Sequence, residues 1–395
     1  MTSLPPLPAD PAQAGQPPCA QARGRRTALW LLAALVPLSV LSLMIGAAGI
    51  GVATLLTDPQ AALILTVSRL PRTMAVILTG AALAIAGVVM QQLVRNRFVE
   101  PGTTGTSESA ALGLLAVTIL APAAPIWVKM VVSSLCAMAG TALFLRLIRR
   151  LPPREILLVP VVGIILAGVL GAVVTFIGWQ TDLLQLIGIW LMTGEFSGVI
   201  AGRYELLYLA GAAAALAWFA ADRFSILGLG RETATGLGLN PDAVMRLGLV
   251  VVSLVTALVI VTVGMIPFVG LVVPNIIARR MGDNLRATLP ATALGGAVLV
   301  LACDIVGRLV RYPYEVPVGT VLGVIGGSGL YELPGLADTA WVTVDTPWGA
   351  PSDQILTGTL ATPQLVGTEG QVRRWQGPVG LLAGHATSAE PTAFP

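Results

Sequence analysis

The sequence predicts an all-α, polytopic membrane helix bundle of about ten transmembrane helices, one of them a broken or half-helix. Three observations carry this. The 395 residues are 55% hydrophobic and only 11% charged, against about 25% charged in a soluble domain, and mean hydropathy is +0.84. Apolar runs long enough to approach the roughly 20 residues of a membrane span recur along the chain. The uncharged stretch 247–278 contains Pro267 and Pro274. As one helix it would be about 48 Å long, against a bilayer core of about 30 Å, so it reads as a full span, a reversal near "GMIPFVG" and a short half-helix.

The elements follow in order. Residues 1–26 form a Pro- and Ala-rich tail, expected to be disordered and cytoplasmic. "RGRR" then precedes an apolar stretch longer than the usual signal-peptide core, so a retained first span is expected. Candidate spans are 28–50, 73–94, 108–123, 126–145, 156–178, 204–221, 243–264, 268–279, 288–306 and 316–331, with 183–194 as a short interfacial or re-entrant piece. Placing the N-terminus in the cytoplasm and alternating puts most arginines inside, in keeping with the positive-inside bias. Arg69, Arg72, Lys129, Arg203, Arg308 and Arg311 fall outside and need a reason. Snorkelling to headgroups is the bland one.

Several chemistries are excluded. The only lysine is Lys129, in "IWVKMVV", so there is no phosphate-binding loop ending in Gly-Lys-Ser/Thr. The only histidine, His385, lies in the terminal tail. Cys19, Cys136 and Cys303 have no metal or redox spacing. No catalytic residue, metal or cofactor is expected, and the small net charge of +3 implies no nucleic-acid partner. Ionisable residues within the spans read as nearly absent, which argues against a proton relay. The chain looks like a shaped conduit whose energy and selectivity come from elsewhere.

One polar hinge interrupts this pattern. "MQQLVRNRFVEPGTTGTSESAALG" carries Gln91, Asn96, Pro101 and Gly105 between two apolar runs. Asn96 reads as a helix-ending residue whose amide satisfies free backbone groups. Together with "SRLPRTMAVILTGAALAIAGVV" before it, "GRETATGLGLNPDAVMR", "GMIPFVGLVVPNIIARRMGDNLRATLPATALGGAVLVLACDIVGRLV" and "YEVPVGTVLGVIG", it resembles the FecCD-type permease subunits of bacterial ABC importers for iron–siderophores and cobalamin. The resemblance covers roughly residues 28–327. "RNRFVEPGTTGT" departs from the commoner form and looks most like the catecholate-siderophore branch, whose members carry petrobactin, enterobactin, vibriobactin or anguibactin complexes.

The resemblance implies a permease domain over 27–331, forming the translocation pathway in the cell inner membrane. It implies a cytoplasmic ATP-binding subunit, an extracytoplasmic siderophore-binding protein and a second permease copy, in a homodimer or heterodimer. It places binding-protein docking on Arg69, Arg72 and Arg308. It places ATPase coupling on Arg231, Glu232, Thr233, Gly236, Leu237 and Gly238, within a segment that can form one short helix stopped by glycine and start another at Asn240-Pro241-Asp242. The hinge and pathway positions are Gln91, Asn96, Pro101, Gly105, Pro267 and Pro274.

Residues 332–395 break the family pattern and are expected to be an atypical, poorly packed tail. Residues 323–360 resemble the N-terminus of methylthioadenosine or purine nucleoside phosphorylases, with Ser328 at the phosphate-loop serine. Two alternatives follow from that likeness: a membrane-anchored phosphorylase fragment, or a fused permease without transport function.

Overall fold

The computed structural model describes residues 18–45, 63–148, 150, 158–188, 194–202, 204–310 and 314–328, and strand segments at 336–342, 355–360 and 379–382. The N-terminal residues 1–17, the end of the expected re-entrant piece (189–193), Arg203 and Arg311 lie outside the described residues. The chain divides into two compact units, 1–324 and 325–395.

The first unit is a helix bundle. Its helices are α1 (Pro18–Met44), α2 (Leu70–Val94, entered through a π-helical turn Leu65–Arg69), α3 (Thr106–Leu120), α4 (Ile126–Ile148), α5 (Leu158–Gln180), α6 (Leu184–Gly188), α7 (Leu206–Phe219), α8 (Ala221–Gly228), α9 (Arg231–Gly236), α10 (Pro241–Val263), α11 (Val269–Met281), α12 (Leu285–Val310) and α13 (Val318–Ser328). Each of the ten expected spans coincides with one of these helices. Among the described residues, six helices are long and apolar enough to cross a membrane, or seven if α7 and α8, bent by 64°, make one span. A count of ten full crossings is therefore not established, because α3, α11 and α13 have only 15, 13 and 11 residues. The broken-helix expectation is met directly: α10 stops at Val263 and α11 starts at Val269, with Pro267 in the gap.

Burial sorts the spans. Within the most apolar window of each, 78% of residues are buried in the span containing α2 but only 6% in α1 and 17% in α5. The span α2 is therefore the spine, and α1 and α5 turn apolar side chains such as Trp30, Ile165 and Phe176 outward. Such surface is stable only in lipid, because in water exposed patches of this extent drive association. The spine packs against α7, α10, α11 and α12, while α3 packs on α4 and α5.

Two glycine crossings let α2 sit this deep. A Cβ on Gly80 would collide with the carbonyl of Gly296 in α12, and a Cβ on Gly87 with the carbonyl of Gly270 in α11. Small residues at membrane helix contacts permit this close backbone approach. The second unit contains an antiparallel sheet in the order β1-β2-β3, with β1 at Leu336–Val342, β2 at Ile355–Leu360 and β3 at Val379–Leu382. The tail thus has strand structure that the all-α expectation did not contain.

Gly87→Leu should be strongly destabilising, because the obstacle is backbone and cannot rotate away. Overpacking typically costs about 1–3 kcal/mol and occasionally more. Thermal melting of the detergent-solubilised protein should fall clearly below wild type, whereas Gly168→Leu, with open space at its Cβ, should leave it unchanged.

Candidate functional site

The arginines expected outside converge at one end of the bundle. α1 stops at Met44, so its last carbonyls have no helical donor. Arg69, in the π-turn, places Nη1 2.9 Å from the carbonyl oxygen of Leu43 and 3.3 Å from that of Met44. Arg308, near the end of α12, donates from Nη1 to the carbonyls of Ser42 and Ile45 at 3.0 and 2.9 Å. Two guanidiniums thus cover four carbonyls at the negative end of the α1 dipole. Both side chains are buried, at 7% and 5% exposure.

Asp304 joins the cluster from inside α12. It accepts from Arg72 Nη2 at 2.8 Å and pairs with Arg308 Nη2 at 2.6 Å, with its own side chain fully buried. The other nitrogen of Arg72 meets both carboxylate oxygens of Glu315, at 2.9 and 2.8 Å. Ser42 Oγ accepts from Arg308 and shares a hydrogen bond with Thr73, whose hydroxyl donates back to the Arg69 carbonyl. Arg69, Arg72 and Arg308 are therefore brought together, but facing inward. Only Glu315, one-third exposed, reaches the rim. This corrects the sequence reading that the spans are nearly free of ionisable groups: Arg72, Glu108, Asp304 and Arg308 all lie within helices. Asp304 and Glu315 carried no motif of their own. The signal that could have found Asp304 was spacing, since it precedes Arg308 by one helical turn.

The hinge lies at the other end of α2. Its C-cap is Arg95, with a left-handed φ of 57°, an uncommon conformation for a non-glycine residue. Asn96 is buried, and its side-chain oxygen accepts from the Phe98 N–H at 2.8 Å. Pro101 opens a single 3-10 turn, and Gly105, at φ 76°, is the N-cap of α3. Glu100, which sequence reasoning passed over, is buried and accepts from the Phe268 N–H at 2.8 Å. It thereby caps the start of α11, where a carboxylate complements the helix dipole.

Gln91 and Pro274 meet at a single atom. Pro274 has no N–H, so within α11 the carbonyl four residues earlier, that of Gly270, lacks its helical donor. Gln91 Nε2 donates to that carbonyl at 3.1 Å. Gln91, Gln92, Asn96 and Asn275 also line a cleft of about 450 Å³ bounded by α2, α8, α11 and α12.

Next to the cleft, the 222–246 segment forms a compact knob. The helix α9 ends in a glycine-stopped turn: Gly238 has φ 78°, its N–H bonds the Thr235 carbonyl, and Leu239 N–H bonds that of Ala234. Asn240 caps α10 by accepting from the Asp242 and Ala243 N–H groups. Arg231 pairs with Asp242 at 2.7 Å across the two helices. At its root, Gly228 packs on Gln92 of α2 and Asp222 pairs with Arg286 of α12. Leu229 and Leu237 stand exposed, at 66% and 62%. Glu232, Thr233 and Gly236 share this surface helix with Arg231.

Removing the carboxylate of Asp304 leaves the buried Arg308 without a counter-ion and the half-buried Arg72 with Glu315 alone. Asp304→Asn should cost about 3–5 kcal/mol, whereas Glu315→Gln, at the partly exposed rim of the cluster, should cost about 0–1 kcal/mol. Paired melting curves check the ranking, and equal effects would refute a load shared chiefly through Asp304.

Comparisons with known proteins agree with this architecture. Residues 32–331 match the FecCD transport family. The petrobactin import system permease protein YclN of Bacillus subtilis is 42% identical over 303 residues, covering 76% of this chain and 95% of that protein. The ferric-anguibactin transport system permease protein FatD of Vibrio anguillarum is 41% identical, over 75% of this chain and 95% of its own length. The vitamin B12 import permease BtuC of Escherichia coli O157:H7 is 36% identical over 68% of this chain and 82% of its own. A solved metal-chelate type ABC transporter in an inward-facing conformation shares the fold, with a TM-score of 0.65 and 24% identity over 78% of this chain and all of its own. The family match runs through residue 331 and claims "GVIGGSGLY" as permease sequence. The phosphorylase likeness of 323–360 is thereby left without support. The chain belongs to the FecCD transport family: it is a multi-pass permease subunit of an ABC importer, not an enzyme.

Proposed function

We propose that this chain forms the translocation pathway of an ATP-driven importer for a ferric siderophore of the catecholate-bearing type. It works in the cytoplasmic membrane with its N-terminus inside, as a homodimer or heterodimer of permeases. The observation that carries the substrate class is that the relatives YclN and FatD, matched over 95% of their length, are named for petrobactin and ferric-anguibactin. In a strain lacking its own permease but retaining the cognate ATPase and binding protein, the chain should restore uptake of radiolabelled ferric petrobactin. Rescue by cobalamin alone would overturn the substrate class.

In this reading the knob from Arg231 to Gly238 seats in the cytoplasmic ATP-binding subunit. Its rigid turn, its exposed Leu229 and Leu237 and its bracing on α2 and α12 support that role. Replacing Gly236 with Arg and Leu237 with Glu should abolish transport and binding-protein-stimulated ATP hydrolysis, yet leave the permease inserted. Unchanged stimulation in reconstituted vesicles would refute coupling through this knob.

The cluster of Arg69, Arg72 and Arg308 marks the opposite, outward end, where the extracytoplasmic binding protein docks. Glu315 competes there for Arg72, whose fork suits bidentate carboxylate pairing. Rim charges act chiefly on association rate and its salt dependence. Glu315→Gln should therefore speed docking severalfold at low salt and little at high salt. A rate that is unchanged at every salt concentration would assign the three arginines to structure alone.

A further inference from the structure

Among the described residues, a second set of arginines has no counter-ion. Arg279 and Arg280 occupy the last turn of α11, and Arg26 lies on α1. The two helices meet there, since Gly24 lies against the Met281 side chain. Between them opens a cleft of about 520 Å³ lined by Arg26, Thr27, Trp30, Leu31, Arg279 and Arg280. None of the six ion pairs of the described residues involves these three arginines. The acidic residue nearest in sequence to Arg279 and Arg280, Asp283, is committed to Arg97. The negative end of the α11 dipole accounts for cations in its own last turn, but not for Arg26, which comes from another helix.

The geometry continues into the hydrocarbon. Trp30 lies one turn beyond Arg26 and on the same face of α1, and it is 76% exposed. Tryptophan is enriched where bilayer and headgroups meet. Beyond it, Val36 and Val40 also face outward. Cationic groups, then an amphipathic ring, then an exposed apolar helix surface is the order in which a phospholipid presents phosphate, glycerol and acyl chain. Basic pockets between transmembrane helices suit anionic headgroups, and guanidinium forks match phosphate oxygens.

We propose that this cleft is a binding site for an anionic phospholipid, its phosphodiester held by Arg26, Arg279 and Arg280 and its glycerol edge resting on Trp30 and Leu31. The lipid would tie the peripheral α1 to the broken helix α11, closing a gap that protein side chains leave open.

Native mass spectrometry of the purified full-length chain, with phosphatidylglycerol or phosphatidylcholine added, tests the site. Wild type should retain phosphatidylglycerol preferentially and melt higher in it, and inorganic phosphate at equal concentration should not reproduce the shift. The triple variant R26Q/R279Q/R280Q should lose both the preference and the shift. Arg26→Gln alone, which serves if the triple variant fails to fold, should weaken retention about fivefold, the order expected for one arginine near an anionic surface. Lys129→Gln, on α4, should change neither. Equal retention of the two lipids by wild type, an undiminished preference in Arg26→Gln, or the same loss in Lys129→Gln would each overturn the proposal. A shift reproduced by free phosphate would replace the lipid with a soluble anion and overturn it as well.

Discussion

Every helix break in a membrane protein exposes backbone groups that the bilayer cannot satisfy, so the protein must supply each partner itself. That constraint organises this bundle. The end of α1 takes donors from Arg69 and Arg308. The start of α11 takes an acceptor from Glu100. The carbonyl stranded by Pro274 takes a donor from Gln91. In each case the partner comes from another element of the chain, so each repair is also a tertiary tie. The interruptions, which would weaken isolated helices, become the points where the bundle is joined.

Three of these ties involve α2 or the turns at its ends, and the reason is its burial. A helix enclosed on several sides can contribute side chains to several neighbours, and its glycine contacts with α11 and α12 bring those neighbours close enough to receive them. One end of α2 meets the arginine cluster through Arg72, and the other meets the root of the knob through Gln92. Both proposed partner surfaces therefore bear on a single helix. Two discrete packings of that helix, rather than gradual bending, would be the economical way to link them, because packed interiors resist continuous deformation.

The sequence made the helices and their breaks legible for local reasons. Apolar composition and length placed the spans, Pro267 marked the broken helix, and Asn240-Pro241 and Gly238 carried cap and stop chemistry within a few residues, whereas Pro274 sits inside the continuous α11. What stayed hidden was the set of partners far along the chain. Nothing near Gln91 indicates that it answers Pro274, and nothing near Glu100 points to Phe268, because those pairings exist only once α2 and α11 cross. Asp304 was hidden differently. A single acid in an apolar run adds little to composition, and its meaning depends on Arg72, which is 232 residues away. The strands of the tail lay beyond the permease resemblance that organised the reading.

The same constraint gives a reason for the arginines that the sequence expectation places outside. The positive-inside bias concerns cations that remain free beside the membrane. Arg69, Arg72 and Arg308 carry three positive charges against two on Asp304 and Glu315, and the carbonyl end of α1 offsets part of what remains. A cluster so nearly balanced should weigh less in choosing orientation than arginines that enter no ion pair among the described residues, such as Arg26, Arg279 and Arg280. The two groups thus differ in kind although their residue type is the same. One is largely balanced by carboxylates and carbonyls of the fold, while the other has no carboxylate partner among the described residues.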